Sequence, residues 1–362
     1  MLEVADIVRL HGAAYCEKAG SALSAVQKRA LRDISACRTP FFGGHVYQCD
    51  HCAQKVFSYH SCRNRSCPKC HQDQTERWLE KQRGHLLPCN YFLLTFTLPS
   101  ELRSLARSHP KKIYGLLMKA AADALQKLVG DSRYLGARIG ALAVLHTWTR
   151  AMLFHPHVHM LVTAGGLAAD GSSWIDSKPG FLVPVRALSV IFRAKFCTGL
   201  KKAGLLGEVD PSLWKKKWVV HCQHAGHGEK VLDYLGRYVF RIVISNSRLE
   251  AFDNGVVRFR YRDNRTHQMR RVTLPAEDFI GRFLQHVLPR GCVKVRYYGI
   301  WSLSRRKQLT QARSLLLLRL PHGNSSTPEP TSRDRAAVRC PFCHQGILIP
   351  LEPLPAQRGR SP

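Results

Sequence analysis

The spacing of cysteines near the N-terminus restricts the fold of this chain more than any other feature. Cys49 and Cys52 form one Cys-x-x-Cys sequence, and Cys67 and Cys70 form another after 14 intervening residues. Each pair can form a tight knuckle, so that four thiolates surround one tetrahedral zinc ion. We therefore predict a zinc site at these four cysteines.

Chance does not explain this spacing. The chain has 13 cysteines in 362 residues and three Cys-x-x-Cys sequences. Random placement would give about half of one such sequence, so a set of buried, reduced cysteines is the weaker interpretation. The identity of the four ligands stays open, because other candidate side chains crowd the same stretch: His45, His51, His60, Cys62 and His71.

The chain is strongly basic. It has 55 Lys and Arg residues against 25 Asp and Glu residues, which gives a formal net charge of +30. Self-repulsion on this scale weakens a compact protein unless a polyanion binds, either nucleic acid or an anionic membrane surface. The basic residues are spread along the chain and mixed with aromatic residues, as in 258–262 and 294–298, and no basic tail adjoins an apolar anchor. These features favour nucleic acid.

No stretch of the sequence predicts a membrane span or a signal peptide. The longest apolar runs, 91–98 and 139–145, are well short of the ~20 residues that a spanning helix needs. Residues 1–6 lack the basic start and apolar core of a signal peptide. We expect a cytoplasmic protein with no membrane partner, whose reduced cysteines bind metal.

The predicted zinc site has a structural role. Four thiolates close the coordination of the ion, so no position stays open for catalysis. Arg63, Arg65 and Lys69 lie within the same segment, and their charges suit phosphate groups. We predict that these three residues bind DNA.

A second motif is the sequence His155-Pro156-His157-Val158-His159. On a β-strand, residues 155, 157 and 159 point to one face. Neutral imidazoles there can bind Mn²⁺, or Mg²⁺ once substrate phosphate completes its coordination. The motif alone is weak, because the chain has 18 histidines, which give roughly one His-x-His by chance. Ordinary surface or core histidines are the alternative.

A third motif is Tyr234-Leu-Gly-Arg-Tyr238 on a predicted helix. Spacing of four residues places both phenols on one helix face. Arg237 and Arg241 on the same helix can lower a phenol pKa and bind phosphate oxygens. A tyrosine stripe packed into the core is the alternative, and in isolation it would be favoured.

Composition divides the chain into three parts. Residues 1–85 combine short amphipathic helices with the cysteine-rich segment, and residues 88–320 mix strands with helices. Residues 321–362 contain a linker rich in Pro, Ser and Thr followed by Cys340 and Cys343. This pattern predicts an α+β protein: an N-terminal helical and zinc-ribbon module, a middle part of strands and helices, and a small C-terminal Cys-x-x-Cys unit.

The motifs follow one another in a specific order. The segments that carry a resemblance are Glu3–Ile7, Arg9–Gly12, Cys37–Cys49, Ser61–Cys70, Phe92–Pro99, Val144–Trp148, His155–His159, Tyr234–Tyr238, Ile244–Asn246 and Cys340–Cys343. Together they resemble the rolling-circle insertion-sequence transposases of the insertion sequence 91 type, the two-tyrosine branch of the HUH endonuclease superfamily. The resemblance covers nearly the whole chain.

The resemblance implies roles for individual residues. His157 and His159, on either side of Val158, would bind the catalytic Mg²⁺ or Mn²⁺, and Tyr234 and Tyr238 would be the nucleophiles. A glutamine that is common in this family is replaced by Arg150. The identity of a third protein ligand is therefore open, and His146 and His155 are the candidates.

The resemblance also implies a fold, a substrate and a location. The fold would be a ferredoxin-like palm, an antiparallel sheet with helices on one face. The substrates would be single-stranded DNA at the element's ends and at the target, cut and rejoined through 5′-phosphotyrosine intermediates. The protein would act in the bacterial cytoplasm at the nucleoid.

Other functions explain part of the sequence. A rolling-circle plasmid replication initiator would use the same chemistry. A non-catalytic zinc-ribbon regulator that binds DNA would explain the charge and the cysteines but not the His and Tyr motifs. A nuclease that attacks with water would need no tyrosine.

Overall fold

The computed structural model describes residues 2–70, 78–80, 82–227, 231, 236, 242–319 and 338–357. The α-helices that lie wholly within these ranges are α1 (Val4–Ala19), α2 (Ala25–Ser35), α3 (Arg103–Ser108), α4 (Pro110–Val129), α5 (Val185–Lys202), α6 (Ala276–Leu284) and α7 (Arg306–Leu317). The β-strands are β1 (Gly44–Cys49), β2 (Lys55–Tyr59), β3 (Tyr91–Thr97), β4 (Gly140–Trp148), β5 (Phe154–Thr163), β6 (Gly165–Leu167), β7 (Trp174–Asp176), β8 (Val220–Gly226), β9 (Leu249–Asp253), β10 (Val256–Arg262), β11 (Met269–Pro275), β12 (Val295–Gly299) and β13 (Leu348–Leu354). Among these described helices, none is long and apolar enough to cross a membrane.

The chain forms two compact units, each assembled from separate stretches of sequence. The first comprises Met1–Gln72, Ile244–Ile280 and His322–Pro362, and the second comprises Asp73–Val243 and Gly281–Pro321. The paired strands in both units are antiparallel. Helices combined with antiparallel sheets confirm the predicted α+β class.

A five-stranded sheet in the order β12-β4-β5-β3-β8 organises the second unit. One face of this sheet packs against α4 and α5. Helix α4 begins at Pro110. Proline lacks an amide hydrogen, but the amide of the first helical residue makes no intrahelical hydrogen bond, so proline is well tolerated there. Its apolar residues recur every three or four positions and form a continuous buried stripe. From α5, Phe192 packs edge-on against Phe96 and Trp218, with ring centroids 5.1 and 5.2 Å apart.

The opposite face of the sheet has an apolar part and a polar part. In the apolar part, Tyr91, Leu142 and Leu161 pack with Trp301 and with Leu316 of α7. The polar part carries the histidines of β4 and β5. The helix-covered face therefore supports the sheet, and the opposite face is available for a functional site.

The first unit contains the α1–α2 pair and two three-stranded sheets, in the orders β13-β1-β2 and β11-β10-β9. Helix α2 begins after Ser24, whose hydroxyl accepts the amide of Gln27. Near its end, the buried carboxylate of Asp33 pairs with Arg29 and accepts a 3.0 Å hydrogen bond from the Asn64 side chain. This bond ties α2 to the cysteine-rich segment.

Candidate functional site

Three histidines from two neighbouring strands meet on the polar part of the sheet. His157 and His159 come from β5, and His146 comes from β4. Candidate ligand nitrogens of the three rings lie within 4.8 Å of one another. The structure thus brings together the two histidines singled out from the sequence and adds His146 as the third.

Strand alternation explains why these side chains converge. Val158 is buried on the helix-covered face, so its neighbours His157 and His159 point to the opposite face. The antiparallel register places His146 directly opposite His157, and Thr95 of β3 directly opposite His159. Residues directly opposite one another share a face, which assembles the cluster.

Hydrogen bonds orient two of the three imidazole rings. Nδ1 of His157 lies 2.7 Å from the carbonyl oxygen of His155, which can only accept, so Nδ1 donates and Nε2 carries the lone pair. Nδ1 of His159 lies 3.1 Å from the hydroxyl of Thr95. Partners of this kind fix the tautomer of metal-ligating histidines. The donor set therefore fits one divalent metal ion bound through nitrogen, with further positions open to oxygen ligands.

His155 does not belong to this cluster. Its Nδ1 accepts a 3.0 Å hydrogen bond from the guanidinium group of Arg103. Burial, and then the positive charge of Arg103, lower the pKa of His155. Of the two third-ligand candidates that the sequence left open, His146 is the one that lies beside His157 and His159.

Two buried rings, Trp148 and His286, lie next to His146. The ring of Trp148 stacks on His146 with centroids 4.9 Å apart, and His286 lies edge-on to Trp148 at 5.9 Å. Nε2 of His286 donates to the carbonyl of Met152 at 3.1 Å, so Nδ1 accepts from the hydroxyl of Thr147, also at 3.1 Å. Burial lowers the pKa of His286 to about 4, so this ring is neutral near pH 7.

The predicted nucleophiles Tyr234 and Tyr238, and the predicted DNA-binding residues Arg237 and Arg241, lie outside the described residues. Val231, just before them in the sequence, is described. It is fully buried in the apolar part of the same sheet face that carries the histidines. The roles of the two tyrosines and two arginines stay predictions.

The structure does not bring Cys49, Cys52, Cys67 and Cys70 to one point, which corrects the predicted grouping. It forms two groups of four, each with sulfur atoms within 4.8 Å of one another: a first cysteine cluster of Cys37, Cys62, Cys67 and Cys70, and a second cysteine cluster of Cys49, Cys52, Cys340 and Cys343.

The β1–β2 hairpin is the physical reason for this separation. The pair at residues 49–52 lies at its turn, whereas Cys62 follows β2 beyond the opposite end, where Gly44 pairs with Tyr59. Those ends are roughly 13 Å apart at the usual rise of a strand.

Sequence spacing missed Cys37 and left Cys62 among the alternatives. In the first cysteine cluster, the sulfur of Cys70 lies 3.5 Å from the sulfur atoms of both Cys37 and Cys62. Cys37 follows α2 and has no cysteine neighbour close in the sequence. Only the packing of α2 against the following segment identifies it.

Arg63, Arg65 and Lys69, the residues near the first cysteine cluster that are predicted to bind DNA, differ in their exposure. Arg63 and Arg65 are exposed. Lys69 is partly buried and forms an ion pair with Glu3, with 2.5 Å between its Nζ and the carboxylate. Arg63 and Arg65 are the more exposed of the three residues.

Strand β10 presents a row of exposed arginines. Arg258, Arg260 and Arg262 alternate with the buried residues Val257 and Phe259. The buried face packs on α6, and the other face carries the positive charges. A strand of this kind is suited to bind a polyanion.

Comparison with known proteins gives one consistent result. A family model described as "Transposase zinc-binding domain" matches residues 7–98, and one described as "Putative transposase" matches residues 140–308. The chain is 41% identical to "Putative transposase y4qJ" of Sinorhizobium fredii (strain NBRC 101917 / NGR234) over 378 aligned residues, 97% of this chain and 95% of that relative. It is 30% identical to the "Transposase for insertion sequence element IS801" of Pseudomonas savastanoi pv. phaseolicola over 309 residues, 76% of this chain and 72% of that relative. No solved structure matches the chain significantly.

The buried His286 makes stability depend on pH. Its folded pKa of about 4 lies below the ~6.5 of an unfolded chain, so the unfolded state takes up the proton first as pH falls. This residue should lower the free energy of unfolding by roughly 2 kcal/mol between pH 7 and pH 5. Thermal unfolding at several pH values measures the effect, and His286→Gln should show a smaller loss below pH 6.5.

His227→Gln, at an exposed position, is the control and should keep the pH dependence of the parent protein. The same dependence in His286→Gln as in the parent would contradict the role given to His286.

Proposed function

Because the chain belongs to the transposase family of the insertion sequence 91 type, we propose that it catalyses rolling-circle transposition by cutting and rejoining single DNA strands. The cluster of His146, His157 and His159 on one face of an antiparallel sheet is the observation that carries this proposal. A metal ion at such a site can polarise a scissile phosphodiester. The formal net charge of +30 is suited to a DNA substrate.

The three histidines would hold Mg²⁺ or Mn²⁺ through their ring nitrogens. When bound, such an ion polarises the scissile phosphate and neutralises the charge that develops there. The protein holds the three rings in place. His159 is hydrogen-bonded to the hydroxyl of Thr95, His157 donates a hydrogen bond to the carbonyl of His155, and Trp148 stacks on His146. Ligands fixed in this way lose little freedom when substrate binds.

Tyr234 and Tyr238 would supply the nucleophiles. The phenolic oxygen of one tyrosine attacks phosphorus, a bond to tyrosine forms, and the bond to the 3′ oxygen breaks. The products are a 5′-phosphotyrosine and a free 3′-OH, and the phenol proton leaves as the 3′ oxygen gains one. The ester retains the energy of the broken bond, so a 3′-OH can later attack it and restore the strand without ATP.

A second tyrosine would let the enzyme hold two strands at once. On the helix that the sequence predicts, Tyr234 and Tyr238 would lie one turn apart, so one could remain esterified while the other attacks. The guanidinium groups of Arg237 and Arg241 would favour the phenolate and bind phosphate oxygens. Single-stranded element ends and target are the substrates that this arrangement suits.

The first cysteine cluster would hold the structural zinc of the N-terminal part. It lies within residues 7–98, which the zinc-binding family model matches. Four thiolates close the coordination of the ion. The hydrogen bond from Asn64 to Asp33 then connects this site with α2. Exposed Arg63 and Arg65 would carry DNA contacts beside it.

Replacing both tyrosines tests the nucleophile assignment. Phe keeps the ring and removes only the hydroxyl, so Tyr234→Phe/Tyr238→Phe should keep the fold and DNA binding. The double variant should lose covalent protein–DNA adduct and strand cleavage by at least ~1000-fold. The assay uses labelled single strands from the ends of the protein's own element, with denaturing gels that resolve the adduct.

Tyr134→Phe is the matched control and should form adduct normally. Each single variant should retain one kind of cleavage if the tyrosines alternate. A double variant that cleaves at the parental rate would exclude the tyrosine mechanism and favour attack by water. A parental protein that binds DNA without any cleavage would favour the zinc-ribbon regulator.

Paired substitutions on β4 and β5 test the third metal ligand. His146→Gln removes a member of the histidine cluster, whereas His155→Gln removes a neighbour that bonds to Arg103. Half-maximal cleavage by His146→Gln should require at least ~10-fold more Mn²⁺ than the parent, and His155→Gln should stay close to the parent. The reverse order of effects would assign the third ligand to His155.

The arginines of β10 test the DNA surface. Arg258→Gln/Arg260→Gln should weaken binding of single and double strands alike and reduce the slope of log affinity against log salt by about 1.5 to 2. Arg133→Gln is the control, because its guanidinium group is already paired with Asp131. Fluorescence anisotropy over a salt series measures both, and an unchanged slope in the double variant would exclude these contacts.

A further inference from the structure

Two Cys-x-x-Cys pairs that are far apart in the sequence lie together in the second cysteine cluster. The sulfur of Cys49 is 3.6 Å from that of Cys343, and the sulfur of Cys52 is 3.7 Å from that of Cys340. Disulfide sulfurs are only about 2.05 Å apart. Sulfurs around a tetrahedral zinc ion, with bonds of about 2.3 Å, are about 3.8 Å apart. The observed spacing therefore fits four thiolates around one zinc ion.

The two pairs adopt the same turn. The amide of Ala53 donates to the carbonyl of Cys49, and the amide of His344 donates to the carbonyl of Cys340, each at 3.1 Å. Ala53 and His344 also share a left-handed backbone, with φ of 55° and 57°. Non-glycine residues adopt this conformation at a cost. Its occurrence at equivalent positions indicates two matching knuckles that face one ion.

The backbone around the cluster favours thiolates. Amide groups in both knuckles donate to sulfur at 3.4–3.5 Å: His51 and Cys52 to Cys49, Phe342 to Cys340, and Gly346 to Cys343. Hydrogen bonds to sulfur stabilise the charged form, which is the form that binds metal.

We propose that the second cysteine cluster binds a second zinc ion, which fastens residues 338–357 to the N-terminal cysteine-rich segment. Two of its ligands, Cys340 and Cys343, lie outside the residues that the zinc-binding family model matches. The proposal does not depend on the tyrosine chemistry, and its test measures metal content and protection rather than DNA cleavage.

The C-terminal segment packs through its backbone more than through its side chains. Strand β13 pairs with β1, from Gly44 opposite Leu354 to Cys49 opposite Leu348. Most of its side chains remain exposed, including Ile349 and Leu351 at about half of their full exposure. Little apolar burial therefore holds this strand, since hydrophobic stabilisation scales with the area removed from water.

Asp50 contributes a polar link between the two knuckles. Its amide donates to the carbonyl of Ile347 at 3.1 Å, and its carboxylate accepts the amide of Ile347 at 2.7 Å. Gly346 lies so close to the Cys49 sulfur that an added Cβ would overlap it. Such links align the segment, and zinc binding would supply the main free energy that orders it.

Metal content of the purified full-length protein tests this assignment. After washing with a mild chelator, inductively coupled plasma mass spectrometry should find two zinc ions per chain. Cys340→Ser/Cys343→Ser should contain one zinc, and Cys37→Ser/Cys62→Ser should also contain one. Cys197→Ser, a cysteine outside both clusters, should contain two.

Hydrogen exchange locates the lost ion. In Cys340→Ser/Cys343→Ser, the amides of β1 and β13 that pair with each other should lose protection, whereas those of β4 and β5 should keep it. In Cys343→His, an imidazole replaces one thiolate, as zinc sites with three cysteines and one histidine allow. This variant should retain two zinc ions and the protection of β13.

Each result decides the proposal. The proposal would be overturned if the parent protein contained only one zinc ion per chain, or if Cys340→Ser/Cys343→Ser still contained two. Iron in place of the second zinc ion would also overturn it. If the serine double variant loses all metal through misfolding, Cys343→His decides: two zinc ions with a protected β13 support the second site, and one zinc ion excludes it.

Discussion

The alternation of side chains along β4 and β5 is the constraint on which the functional face depends. In β5, Val158 and Met160 pack under α4 and α5, which forces His157 and His159 to the opposite face. A shift of one residue in the register would bury the imidazoles and expose the apolar side chains. The hydrophobic core and the histidine cluster are therefore fixed by the same pairing, and neither can move without the other.

The sulfur atoms impose a second, longer-range constraint. A Cys-x-x-Cys pair supplies only two of the four ligands of a structural zinc ion, so the other two must come from another part of the chain. The pair at Cys49 lies beside Cys340 and Cys343, almost 300 residues later in the chain. The pair at Cys67 lies beside Cys37 and Cys62. These pairings and the β1–β13 ladder join two of the three stretches of the first compact unit, Met1–Gln72 and His322–Pro362.

Local patterns in the sequence predicted much of the fold. The mixture of strands and helices in 88–320, the apolar run at 91–98 and the spacing that puts His157 and His159 on one face of a strand are all visible in residues close to one another. The cysteine grouping was not predictable, because spacing fixes the geometry within a knuckle but carries no information on which knuckles meet. The choice between His146 and His155 depends likewise on register and on Arg103, since sequence spacing does not show which of the two lies beside His157 and His159 in space.

The proposed metal sites differ in donor chemistry, and this difference separates structure from catalysis. Four soft thiolates select zinc and complete its coordination, so an ion there can hold segments together but cannot bind a phosphate. Three imidazoles leave coordination positions for oxygen, which a scissile phosphate can occupy. Mg²⁺ and Mn²⁺ compete poorly for thiolates. The cysteine clusters could thus retain zinc while the histidine site binds the cation that accompanies DNA, and the fold would not depend on the occupancy of its reactive site.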